Sequence, residues 1–243
     1  MRLLALISFV VLTGFISQGA DTARLVTDLM RDEQELASVP FADVVKAATG
    51  KQVLPLNPTN SIDRELLTKI GRAMDAVLRQ LNAPDSPAQK KRRINEVSVL
   101  FENSMKVELN AIDGFECDFP KLASGAHQRS GYPDLRLVEK KSGRVLYLDP
   151  KLFERGSRAS SLRTFYFEPK RQTNKILDDA HHLIVGIEHD GKAGGAWKFL
   201  NWELVDLANF RVKLKAEFQA SNRDLYRMEA IVGSSRTNSI PAR

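Results

Sequence analysis

Two stretches in which apolar and polar residues mix, residues 132–138 and 144–153, face each other across Lys140-Lys141-Ser142-Gly143. This pairing constrains the fold more than any other part of the chain. Leu135, Leu137 and Val138 on one side and Val145, Leu146, Tyr147 and Leu148 on the other are strand formers, and the glycine supplies turn chemistry, so the segment predicts a β-hairpin. Side chains alternate across a strand. Val145, Tyr147, Asp149 and Lys151 therefore share one face, and Leu146, Leu148, Pro150 and Leu152 the other. The α-carbons of Asp149 and Lys151 lie roughly 7 Å apart on that face. Asp134 precedes Asp149 by 15 residues and opens the partner strand, so the hairpin brings it to the same end.

Carboxylates held together repel each other, and a hard divalent cation between them turns the repulsion into binding. Mg2+ is the natural choice. A metal there, with a lysine beside it to orient or help deprotonate water, suits hydrolysis of a phosphodiester. The histidines do not offer a competing centre: His127, His181, His182 and His189 lack the spacing of a helical zinc site, and Cys117 is the only cysteine. His181 and His182 point to opposite faces of a strand and read as structural. Residues 191–195 read as a strand-connecting turn, and a serine-hydrolase elbow is absent.

A chain of 243 residues, 43% hydrophobic and 27% charged, suits one mid-sized domain with a smaller appendage. Arg2, an apolar run over residues 3–16 and then Ser17, Gln18, Gly19 and Ala20 have the order of a secretory signal peptide, which predicts cleavage after Gly19 and export to the periplasm or medium. With a lone cysteine, no internal disulfide supports the fold. The formal charge of +6 permits a nucleic-acid partner, and residues 151–175 hold seven basic side chains against two acidic ones. Within that run Arg155, Arg158, Lys170 and Arg171 are the candidate phosphate contacts, with Arg163 and Lys175 beside them.

Along the chain, residues 1–19 are the signal, 20–84 a helical N-terminal region, 85–228 the core and 229–243 a flexible tail. An apolar stripe predicts a helix from Ser61 to Asn82. Ser86-Pro87-Ala88-Gln89 reads as the capped start of a long helix running to about Ile112, with Glu96, Glu102 and Glu108 on it. Strands are expected at residues 115–119, in the hairpin and at 181–189, with a further strand or strand pair at 196–207. Residues 164–167 are expected to extend the sheet, and residues 172–180 to form a short helix.

Pro133-Asp134 and Asp149-Pro150-Lys151, set in a helix, strand, strand, strand, helix, strand order, resemble the signature of the PD-(D/E)xK nuclease superfamily over roughly residues 86–228. The tail around residues 201–226 resembles that of type II restriction enzymes. The resemblance implies an α/β, restriction-endonuclease-like core with a mixed central sheet flanked by helices. It implies Asp134 and Asp149 as Mg2+ ligands, with Mn2+ as a substitute, the carbonyl of Pro150 as a further ligand, Lys151 at the attacking water and Glu102 assisting. The expected substrate is DNA, with RNA as a second candidate and a homodimer compatible with both. A nuclease-fold protein without catalysis, binding nucleic acid or an envelope partner, is the alternative. Pro150 departs from the superfamily's apolar residue: without an N–H it predicts a bent strand or an edge.

Overall fold

The computed structural model describes residues 14–170 and 172–233. Two compact units are present, Val39–Val212 and a second formed by the described parts of Met1–Ser38 and Lys213–Arg243. The second unit contains helix α1 (Gly14–Glu35) and a short helix at Asn222–Leu225, the latter closed by a reciprocal capping box between Ser221 and Asp224. Most of the apolar N-terminal run lies outside the described residues. No described helix is long and apolar enough to cross a membrane.

In the first unit β1 (Val39–Pro40) pairs with Arg211–Val212, and the main five-stranded mixed sheet has the order β2 (Phe115–Asp118), β3 (Leu135–Glu139), β4 (Arg144–Glu154), β5 (His181–His189) and β6 (Phe199–Asp206). Only β4 and β5 run parallel. Leu135, Leu137, Leu146, Leu148, Leu183, Val185 and Ile187 form the face covered by α3 (Ser61–Asn82) and α4 (Ser98–Asn110), whose Leu66, Ile70, Met74, Val77, Phe101, Met105 and Leu109 are buried against them. The opposite face carries Tyr147 and packs with Phe41 and Val45 of α2 (Phe41–Thr49), Ile176, Ala180 and Leu207. This is the α/β arrangement of the restriction-endonuclease-like core, a mixed sheet with helices against it.

Several elements differ from expectation, each for a tertiary reason. The helix expected from Ser86 to Ile112 is broken into two short 3-10 turns, Pro87–Lys90 and Ile94–Glu96, before α4 begins at Ser98. Gln89 does not close a capping box: its amide bonds Leu81 O and Trp197 O, and its oxygen accepts from Trp197 N. The Lys91 carbonyl, which a continuing helix would need, accepts from Trp197 Nε1 and Lys192 Nζ. Four consecutive cations, Lys90 to Arg93, add repulsion at the break. Residues 172–180 form no helix, because Asn174 closes a turn on Ile176 while Lys175 and Asp178 are held elsewhere. Residues 164–167 form no strand, with Phe165 and Phe167 packed on the Phe41 ring rather than joined to the sheet.

Pro150 lies where β4 is an edge on one flank only. Pairing with β5 runs on through Pro150 and Val185 to Glu154 and His189. The last β3 partner of β4 is Leu148, so beyond it one flank of β4 is open, and there a missing N–H costs no ladder bond.

Candidate active site

The β3–β4 register ends with Leu135 paired to Leu148, and Asp134 and Asp149 are the next residues beyond that last pair. Opposed residues of antiparallel strands share a face. The charge of Asp149 acts directly on Asp134, and Lys151 Nζ stands 2.5 Å from Asp149 Oδ2. That contact is an ion pair without hydrogen-bond direction, and the buried Oδ2 has no hydrogen-bond partner. Burial, then the charge of Asp149, push Asp134 up to about 8. Asp134 is thus a carboxyl for which the folded chain supplies too little positive charge.

Glu102 arrives from α4, beside buried Phe101 and Met105, and its carboxylate takes Arg129 Nη2 at 2.5 Å. Glu102, Arg129, Asp134, Pro150 and Lys151 line one cleft of about 380 Å³, together with Thr164 and Tyr166. The structure therefore brings Asp134, Asp149, Lys151 and Glu102 together. Glu96 and Glu108 do not line the cleft. Among the basic residues, Arg155 pairs with Glu188, Arg158 is held at both Nη atoms by Glu203, and Lys170 pairs with Glu168. Arg171 lies outside the described residues.

Lys175, counted in the sequence as one more surface cation, is buried. Its Nζ donates to the carbonyls of Arg129, Gly131 and Pro133 at 3.0, 2.6 and 3.1 Å, holding the loop that delivers Asp134. Burial lowers its pKa, against the opposing pull of Asp134, Asp149 and Glu102. Beneath that loop Tyr132 Oη and His182 Nδ1 are 2.8 Å apart within the aromatic group around Phe41, while His182 Nε2 is left without a partner. Arg136 makes a two-point contact with Asp178, which also accepts from Tyr147 Oη.

The sequence model of the type II restriction enzyme MjaV family matches residues 34–229. The chain belongs to this family. It is 29% identical to the type II restriction enzyme MjaV of Methanocaldococcus jannaschii over 209 residues, covering 82% of this chain and 90% of that protein. The match spans the whole sheet and both helices that cover this face, so the cleft lined by Asp134, Lys151 and Glu102, and Asp149 beside it, lie inside the matched region.

The donor set bears on which ion could sit there. Among the described residues no three His, Cys, Asp or Glu side chains form a preformed metal cluster. Two carboxylates remain, one raised to about 8 and the other with an unbonded buried oxygen. Mg2+ is commonly held by one or two carboxylates with waters and substrate oxygens completing its shell, and hard oxygen donors short of positive charge fit it.

Proposed function

We propose that the protein is a Mg2+-dependent endonuclease that hydrolyses DNA phosphodiester bonds by in-line attack of water, with the PD-(D/E)xK division of labour. The observation that carries this reading is the convergence of Asp134, Asp149 and Lys151 at one end of the β3–β4 hairpin in a member of a type II restriction enzyme family. Asp134 and Asp149 would hold the ion, with Mn2+ as a substitute and the Pro150 carbonyl as a further oxygen donor. Bound there, a divalent cation supplies charge stabilisation at the phosphate and a lower pKa for water. Lys151 Nζ, anchored by Asp149, orients the attacking water and offsets negative charge that builds on the phosphate oxygens. Glu102 holds a second flank of the cleft through Arg129. Arg155, Arg158, Lys170 and Arg171 would contact the DNA backbone outside the cleft, the first three by exchanging carboxylate partners for phosphates.

Supercoiled plasmid incubated with the full chain, with and without Mg2+, tests this. Nicked or linear product that needs the ion and disappears in Asp149→Ala and Lys151→Ala is expected. Equal cutting by the parent and these variants, or no cutting with Mg2+ or Mn2+, would remove the reading, and single-stranded DNA and RNA in parallel define the substrate. Export is a separate proposal, resting on the order of Arg2, the apolar run and the small residues to Ala20. Its test is the N-terminal residue of the protein recovered from expressing cells: Ala20 supports cleavage, and an intact Met1 overturns it.

A further inference from the structure

Among the residues lining the cleft, Arg129 is the single arginine. Its placement is built from three sides. The guanidinium lies 4.1 Å from the centroid of the Phe119 ring. Nη2 bonds Glu102 Oε2, with Asn103 Oδ1 further off at 3.4 Å, and the residue's own carbonyl is clamped by buried Lys175. Even so the side chain keeps 47% of its surface exposed, against 13% for Glu102. Both of its hydrogen bonds leave from Nη2, so the N–H groups of Nε and Nη1 are not engaged by other described residues.

A phosphodiester entering this cleft meets the carboxyl groups of Glu102 and Asp134, with Asp149 buried behind Asp134. Lys175 spends its ammonium protons on backbone carbonyls, and Lys151 stands at Asp149. A planar fork of donors with spare N–H groups, stacked on a ring and tethered at one nitrogen, matches phosphate geometry with little entropy left to lose. Arg158, by contrast, has both Nη atoms committed to Glu203.

We propose that Arg129 is a substrate-contacting residue that binds a backbone phosphate at the cleft, with Glu102 and Phe119 holding its guanidinium ready. This rests on the nuclease reading above. The test is binding of a fluorescent DNA duplex by the full chain in the absence of divalent cations, followed by anisotropy over a series of NaCl concentrations. Arg129→Met should weaken binding roughly ten-fold and reduce the slope of log affinity against log salt by about one. Arg129→Gln keeps an aliphatic stem for Phe119 and an amide donor for Glu102, and it must lose the same increment of slope. The second variant carries the test should the first melt early. A role confined to tying α4 to the loop would leave the slope at the parental value in Arg129→Gln, and that result overturns the inference while leaving the nuclease reading in place. A parent that binds no duplex overturns the inference, while the plasmid assay with Mg2+ decides the nuclease reading separately.

Discussion

Lys175 has three ammonium protons and three carbonyl partners, all in the short stretch that ends at Pro133. A cation taken out of water is tolerated only when its donors are satisfied, and here their satisfaction fixes the backbone that carries Asp134 and Arg129. Arg129, Gly131 and Pro133 would lose their shared donor in Lys175→Met, an expected loss of about 2–4 kcal/mol in urea unfolding. Cleavage should fall as well, since the loop would no longer hold Asp134 beside Asp149. A stability within about 0.5 kcal/mol of the parent would show that the clamp is dispensable. At Asp149 the expectation is different. Its replacement by alanine removes a carboxylate proposed to hold the ion, so plasmid cleavage should drop at least about 100-fold while the fold survives, as checked by circular dichroism.

Among the elements, α3 and β6 meet where Gly71 faces the ring of Trp202. A Cβ at Gly71 would stand 2.9 Å from Trp202 Cη2, and the indole is tied by its Nε1 to Asp75 Oδ1 at 2.7 Å, so the ring has little freedom to retreat. Gly71→Ala should therefore destabilise by about 1–3 kcal/mol, in spite of alanine's better helix propensity, and equilibrium unfolding that shows stabilisation would contradict this packing. The hairpin behaves differently from its surroundings. Alternation in residues 135–153 sufficed to set its faces, because one side must meet the helices and a one-residue slip would bury Arg136 and expose Leu135 and Leu137. The break at Lys91 and the helix-free course of residues 172–180 were not legible, since Trp197, Lys192, Arg136 and Tyr147 impose them from far along the chain.

For the whole molecule, burial of ionisable groups predicts how stability follows pH. Asp134 moves from an ordinary 3.8 to about 8, so between those values the native state keeps a proton that the unfolded chain has lost, and stability falls as pH rises. His182 is lowered by burial from 6.5 to about 3, which makes stability rise with pH up to 6.5. The two oppose each other below 6.5, and above it the Asp134 effect continues without that opposition to about 8. Without divalent cations the Tm should thus decline over this upper window. Asp134→Asn should abolish the decline and melt about 3 °C or more above the parent at its upper end. Added Mg2+ should raise the parent's Tm at that pH more than the variant's. A parental Tm that stays level from neutral pH upward would mean that Asp134 is not short of charge. The sequence by itself determined the hairpin, the α3 helix, the β5 strand and the meeting of Asp134, Asp149 and Lys151, because these follow from strand alternation, helical spacing and a short turn. The sequence already singled out Glu102, but only the tertiary structure decided that it lines the cleft while Glu96 and Glu108 do not, that Arg129 lines it too and that Lys175 is a buried clamp. Those roles depend on which segments distant in sequence come to lie against one another, and no local periodicity records that.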